Sequence, residues 1–329
     1  MRLLKWGLIL VVLAAAFLGW QAWQFTQTPL VPAKVPFEFT VKSGASLKSL
    51  SAQLTEAGLL DQPEPLWLLG RLTEKTAIRA GTYRLEKPIL PAELLDKLVR
   101  GDVVPVSIQF IEGSTYAELR KALAAHKDVR QTLAGVSDAE LLKRLGAEEK
   151  HPEGLFFPDT YFFAAGTTDF DVLKRAHQTL KQKLADAWAQ RDEGLPYKSP
   201  YEALIMASII EKETGRADER TTISAVFINR MRIGMRLQTD PTVIYGIGPT
   251  FDGNIRKRDL LTDTPYNTYT RDGLPPTPIA LAGWGSIIAA VKPAQSDRLY
   301  FVGKGDGSHH FSRSLEEHNR AVARYQLKR

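Results

Sequence analysis

The chain reads as an α+β protein. Short strand-like runs are scattered among helical segments without the regular spacing of βαβ units, and one strand–turn–helix pattern occurs twice. A third observation, an uncharged stretch close to the N-terminus, sets a membrane-anchor helix apart from everything that follows.

In that stretch Arg2 and Lys5 precede a run from Trp6 to Trp20 without charge, and the next charged residue is Lys34. The run reaches the roughly 20 residues of a membrane span if Gln21 and Gln24 lie at the interface. Trp20, Trp23 and Phe25 fit an aromatic belt on the far side, and the preceding cations keep residues 1–5 in the cytoplasm. A cleaved signal peptide is the competing reading, with Ala14-Ala-Ala16 as its clue. The apolar run continues past those alanines, which favours an uncleaved anchor at residues 6–25. Residues 26–36, with Pro29, Pro32 and Pro36, form an extended tether, and the rest of the chain then lies outside the cytoplasmic membrane.

Residues 36–54 align without gaps on residues 105–123. Each copy is an alternating strand, a turn at Gly44 or Gly113, a hydroxyl-bearing N-cap region and an amphipathic helix. Between them lie a helix over Pro65–Lys75, a strand over Gly81–Leu85 and a helix over Pro91–Arg100. Two copies are too few for a solenoid and predict a pair of small β-α modules packed together, residues 37–104 and, with a helical connector, 105–150. The pattern in residues 37–54 resembles a LysM module, a family that binds N-acetylglucosamine-containing glycans; a scaffold repeat without sugar affinity is the alternative.

Ser137-Asp-Ala-Glu140 is a capping box inside the connector. Glu153 to Tyr161 then breaks the helical period with aromatics around a Pro-Asp turn, either a hydrophobic plug or a wall on which sugar rings stack. A long helix follows at about 169–192.

The segment Leu204–Thr214 carries the chemistry. Ser199-Pro-Tyr-Glu202 opens a helix with a capping box and proline at the first helical position. Residues 203–210 are apolar on nearly every face except Ser208, so this helix runs through a core. Glu213 continues the stripe Met206, Ile209, Ile210, and Glu211 continues the milder stripe Leu204, Ala207, Ser208. A carboxyl at the end of such a stripe is partly desolvated, which raises its pKa toward general-acid range. Solvation at the helix end, or pairing with Arg216 and Arg220, is the plainer alternative for both.

Beyond a further helix at Thr221–Arg232 the chain turns to polar, aromatic and proline-rich loops, of the kind in which sites are built. They offer Gln238, Thr239, Asp240, Tyr266, Asn267, Thr268 and Tyr269, groups suited to hydroxyl- and acetamido-rich ligands. The tail alternates a helix near 283–291, strands at 299–302 and 309–311, and a last helix from Ser314. Residues 151–329 form the catalytic region in this division.

Composition excludes several classes. There is no cysteine, hence no disulfide framework and no thiol nucleophile. The net charge of +6 suggests an anionic neighbour, lipid headgroups or a carboxylate-bearing polymer. Lys and Arg are scattered rather than clustered with aromatics, which argues against nucleic acid. His309 and His310 point to opposite faces of a strand and cannot share one metal, so neither a metal nor another cofactor is expected.

Leu204–Thr214, Ser224–Arg230, Leu237–Tyr245, Pro265–Tyr269 and Gly273–Pro276 together resemble the YceG-like (MltG) endolytic murein transglycosylases, along the whole chain from anchor to C-terminus. The resemblance implies a single-pass inner-membrane lyase with a periplasmic catalytic domain. Such an enzyme cleaves nascent peptidoglycan strands to 1,6-anhydro-N-acetylmuramic acid ends, with peptidoglycan synthases as candidate partners. It maps the catalytic acid onto Glu213, with Glu211 as the alternative, and the acid, once ionised, would take the C6 proton of N-acetylmuramic acid. Gln238, Asp240, Tyr266, Asn267 and Tyr269 are the candidate substrate contacts. A non-catalytic peptidoglycan-binding scaffold and a hydrolytic muramidase are the competing functions; the second requires another carboxylate, for which Asp240, Asp159 and Glu211 are available.

Overall fold

The structure, a computed structural model, describes residues 2–42 and 44–327. The chain divides into two compact units. The first runs to Ser107 and takes in Asp128–Arg130 and Phe162–Thr167; the second comprises Ile108–Lys127, Gln131–Tyr161 and Thr168 onward. Residues 105–150 thus fall for the most part with residues 151–329.

The first unit contains α1 (Arg2–Gln27), β1 (Phe37–Val41), α2 (Leu47–Glu56), α3 (Glu64–Leu72), β2 (Gly81–Leu85) and α4 (Pro91–Arg100). Residues 6–25, expected as an anchor, lie within α1, whose 26 residues rise about 39 Å. Several of its side chains, including those of Arg2 and Lys5, lie outside the described residues, and with them part of the anchor assignment. Among the described residues no helix is long and apolar enough to cross a membrane.

β1 and β2 pair antiparallel with Phe39 opposite Tyr83, and the two rings stack at 5.5 Å. The alternation of β1 sends Phe39 and Val41 into the core and Glu38 and Thr40 outward, as a half-buried strand requires. Leu50, Leu54, Leu66, Leu94, Leu95 and Leu98 close that core from the helices. Tyr83, fully buried, donates its hydroxyl to the carbonyls of Arg79 and Leu98, so no polar group is left unpaired there. The helix expected to reach Lys75 ends at Leu72, because Glu74 takes the left-handed conformation at φ 58°.

The second unit holds the last two residues of β3 (Val106–Gln109), α5 (Tyr116–Ala125), α6 (Asp138–Leu145), the first two residues of β4 (Thr160–Phe163), α7 (Asp169–Ala189), α8 (Pro200–Glu213) and α9 (Arg220–Arg232). It continues with α10 (Asp240–Ile247), α11 (Lys257–Leu261), α12 (Trp284–Val291), β5 (Tyr300–Gly303), β6 (His309–Ser312) and α13 (Leu315–Tyr325). Six strands in three two-stranded sheets among thirteen helices, for the described residues, make the α+β class.

The repeat is one of local structure. Gly44 and Gly113 both turn through positive φ, 79° and 76°, and Ser46 and Thr115 both cap the following helix. The copies share no sheet, however: β1 pairs with β2, and β3 with β4.

α8 is the centre of the second unit. Every residue from Ala203 to Ile210 is buried, and α7, α9, α10 and α12 all pack against it. Its one interior hydroxyl, Ser208, donates to the Ile205 carbonyl and accepts from the Ile279 N–H. Ser199 caps the helix and Pro200 opens it, but the Glu202 carboxylate takes the N–H of Lys198 instead of that of the cap itself. The Glu153–Tyr161 segment is a plug, since Leu155, Phe156, Phe157 and Tyr161 are all buried; no sugar-stacking wall is available there.

Gly154 makes that plug possible. It sits at φ 75°, and a β-carbon there would come within 2.7 Å of Pro278 Cγ. Strain and overlap add, so Gly154→Ala is expected to lower stability by roughly 2 kcal/mol or more, measurable as a drop in Tm.

Candidate active site

α8 delivers its last residue, Glu213, to the wall of an open groove of about 430 Å³. The groove is also lined by Gln238, Asp240, Tyr269, Arg230, Tyr300, His309 and His318. Burial at the end of an apolar helix strips water from the Glu213 carboxyl and pushes its pKa from 4.5 up to about 7. The Thr239 hydroxyl, donating to Oε1, works against that rise, as do His309 and Arg230, while the nearby charge of Asp240 adds to it. The result is a carboxyl that holds its proton near neutral pH, the property of a general acid.

Thr239 is itself immobilised. Its N–H donates to Thr268 Oγ1, its carbonyl accepts from the Thr242 hydroxyl, and the Thr242 and Thr268 hydroxyls lie 2.9 Å apart. All three threonines are buried. The preceding residue, Gln238, is held at φ 48°, a left-handed backbone for a residue with a side chain. Its N–H donates to the Thr268 carbonyl, which fixes the turn that aims Thr239 at Glu213.

Glu211 leaves the same helix in another direction. Its carboxylate accepts the Gly283 N–H at the start of α12 and stands 3.8 Å from the Arg220 guanidinium. The i, i+2 spacing turns the two carboxyls roughly 200° apart, so one can face the groove while the other fastens two helices. The expected pairing with Arg220 therefore applies to Glu211, whereas Arg216 pairs with Asp218 and Glu219.

Of the five candidate substrate contacts, Gln238, Asp240 and Tyr269 line the groove, with the Tyr269 hydroxyl donating to Asp240 Oδ1 at 2.6 Å. Asn267 does not. It is fully buried, its amide donates to the carbonyls of Asp259, Leu260 and Thr262, and its Oδ1 accepts the Tyr269 N–H. It braces the loop that presents Tyr269. Tyr266 also lies off the groove, its ring against Tyr245 and its hydroxyl 2.9 Å from Thr277 Oγ1. Asp159 belongs to a separate hollow with Gln109 and Glu112.

Other groove residues carried no assignment in the sequence. Arg230 is buried, donates to the carbonyls of Leu299 and Leu237, and lies over the Tyr300 ring. Its place two residues beyond the largely apolar run 223–228 of α9 was the available signal. Glu153, off the groove and also buried, accepts the Tyr116 N–H and the Tyr245 hydroxyl, and burial raises its pKa. Among the described residues no group of three or more His, Asp or Glu is placed to hold a metal ion.

A mixed α+β unit with a neutral carboxyl on an open polar groove is equipped for general-acid chemistry, and sequence similarity gives the family. The chain belongs to the YceG-like family, whose description matches residues 39–324. It is 31% identical over 311 residues to the endolytic murein transglycosylase of Bacillus subtilis (strain 168), covering 89% of this chain and 86% of that protein. The endolytic murein transglycosylase of Streptococcus pneumoniae serotype 2 (strain D39 / NCTC 7466) is 24% identical over 347 residues, 93% of this chain. The matched part is 62% of that longer relative. A crystal structure of a YceG-like protein from Listeria monocytogenes is similar with a TM-score of 0.56 at 30% identity, covering 87% of this chain and 99% of that one.

The raised pKa of Glu213 has a consequence for stability. Below pH 4.5 the carboxyl is protonated folded and unfolded alike; as pH rises the unfolded chain gives up the proton first, and the folded chain only near 7. Stability therefore falls across that window, by at most about 3 kcal/mol. Glu213→Gln has no proton to lose, so its unfolding free energy should decline less between pH 5 and 8 than that of the wild type. Parallel denaturant titrations at the two pH values check this.

Proposed function

We propose that this chain is an endolytic murein transglycosylase, a lyase that cuts the β-1,4 bond between N-acetylmuramic acid and N-acetylglucosamine within peptidoglycan strands. The observation that carries the proposal is Glu213, a carboxyl desolvated into neutrality on the wall of a groove with polar and aromatic lining. The similarity to proteins named endolytic murein transglycosylases supports the same reading.

Glu213 gives its proton to the glycosidic oxygen as the bond to C1 breaks, which leaves the N-acetylglucosamine with a free 4-hydroxyl. Asp240, on the same groove, faces the positive charge that develops on the sugar ring. The C6 hydroxyl of the same N-acetylmuramic acid closes on C1 and surrenders its proton to the Glu213 carboxylate, forming the 1,6-anhydro ring without adding water and restoring the acid. Because that hydroxyl is tethered to the reacting ring, its effective concentration can far exceed that of a free nucleophile. Gln238 and Tyr269 are the groups available to hold hydroxyl and acetamido substituents.

In this reading residues 6–25 anchor the chain in the inner membrane, residues 1–5 stay in the cytoplasm and residues 26–36 tether the remainder on the periplasmic side. The chain then meets strands as peptidoglycan synthases extrude them. The charge pattern around Trp6–Trp20 supports this placement. Residues 37–104 act as the LysM-like glycan-holding module, and residues 151–329 carry the catalysis. A hydrolytic muramidase is the second reading, favoured by one observation: Asp240 shares the groove with Glu213 and could activate a water.

Glu213→Gln keeps the volume but cannot deliver a proton, so turnover of isolated glycan strands by the purified variant should fall roughly 10²–10⁴-fold. An undiminished rate removes Glu213 from the chemistry. Mass spectrometry of the wild-type products should show 1,6-anhydro ends, lighter than reducing ends by one water; predominantly reducing ends would select the muramidase and Asp240 as its base.

A further inference from the structure

The hydrogens around Thr239 have fixed destinations. Thr239 is 2% exposed, its N–H donates to Thr268 Oγ1 at 3.1 Å, and its carbonyl accepts the Thr242 hydroxyl at 2.7 Å. A hydroxyl has one hydrogen, and that of Thr242 is taken by this carbonyl. Across the 2.9 Å contact between the two side chains, Thr268 Oγ1 therefore donates and Thr242 Oγ1 accepts. Both main-chain polar groups of Thr239 are thus occupied. Its own hydroxyl is left over, and among the described residues it bonds to Glu213 Oε1 alone. The other carboxyl oxygen, Oε2, bonds to no group among the described residues and remains open to the groove that Glu213 lines.

We propose that Thr239 is a positioning residue for this reaction: its hydroxyl takes Oε1, so that the proton given to the glycosidic oxygen and recovered from the C6 hydroxyl passes through Oε2 both times. This assignment rests on the reading of Glu213 above. In the acid, Oε1 is the carbonyl oxygen and accepts from Thr239; in the carboxylate, the same oxygen accepts the same hydrogen. The hydrogen bond therefore survives both half-reactions, and neither partner has to turn. A proton on Oε1 would instead point at Thr239, away from the glycosidic oxygen. Without the hydroxyl the carboxyl is free to rotate about its last bond and exchange its two oxygens. The balance is complete: C1–O4 breaks and C1–O6 forms, O4 gains the proton of Oε2, and O6 returns its proton to Oε2. No water is consumed. The charged and titratable groups that face Glu213 are Asp240 from α10, His309 from β6, Arg230 from α9 and Tyr269 from the loop after α11. None of these bonds to the carboxyl, so among the described residues Thr239 alone fixes its orientation.

The test uses the purified full chain on isolated glycan strands, with Thr239→Val, Thr239→Ser and Glu213→Gln. Valine keeps the shape and both main-chain hydrogen bonds but has no hydrogen for Oε1. Thr239→Val should lose about 10–100-fold in kcat with little change in KM, the scale of a misaligned catalytic group. The basic limb of its kcat/KM profile, where Glu213 ionises, should also move to higher pH, because a donor to the carboxylate favours the ionised form and its removal favours the proton. Thr239→Ser keeps the hydroxyl and should stay within about threefold of wild type, with the limb in its original place. A role in packing alone predicts the reverse order, since serine loses the methyl that valine keeps. A Thr239→Val rate within about threefold of wild type, an unmoved basic limb, or a serine variant no better than the valine variant overturns the proposal. If Thr239→Val does not fold, Thr239→Ala takes its place, and a rate equal to that of Thr239→Ser overturns the proposal. Glu213→Gln separates the failures. An undiminished rate for it rejects the reading of Glu213 as the acid, whereas an inactive Glu213→Gln beside an unimpaired Thr239→Val rejects only the positioning.

Discussion

The second unit depends on the burial of α8. A helix whose residues Ala203 to Ile210 are all inside must be surrounded, and α7, α9, α10 and α12 provide the surround. Each large side chain enclosed in this way contributes about 1.5–3 kcal/mol to stability. The same burial decides the chemistry at its end. Glu213 is the residue at which the packed stripe meets the groove, and its retained proton is a direct result of the water the helix excludes. Stability and acidity are two effects of one packing arrangement.

Several of the polar groups brought inside by that arrangement are satisfied locally. Thr239, Thr242 and Thr268 bond to one another, Ser208 bonds within and beyond its helix, and Arg230 spends two donors on carbonyls of the chain. A fully partnered network of this kind resists rearrangement, because breaking any one bond strands a buried group. The groove therefore has one wall with a definite geometry, and Asp240 and Arg230 push the Glu213 pKa in opposite directions.

Much of this was legible in the residues. The capped, apolar helix and its terminal carboxylate follow from period and spacing, and the strand–glycine–helix repeat follows from two glycines with the same backbone demand. The partners of each loop residue were not legible. Asn267 and Gln238 have the same functional group and lie on neighbouring loops, yet one is consumed by three backbone carbonyls and the other faces the groove. Tyr266 and Tyr269, three residues apart, diverge in the same way. His309 reaches the site from nearly a hundred residues downstream of Glu213, a proximity that no local pattern encodes. The shared unit of residues 105–150 and the later segments was hidden for the same reason, since Tyr116 and Glu153 meet only in three dimensions.

Gln238 illustrates a conflict between durability and work. A left-handed backbone at φ 48° suits glycine, and the position instead carries a long polar side chain turned to the groove. Sequence drift under selection for thermal endurance alone would favour glycine there, while drift under selection for turnover would retain the glutamine. The residue found at this position in heat-adapted relatives would therefore reveal which of the two pressures had governed their history.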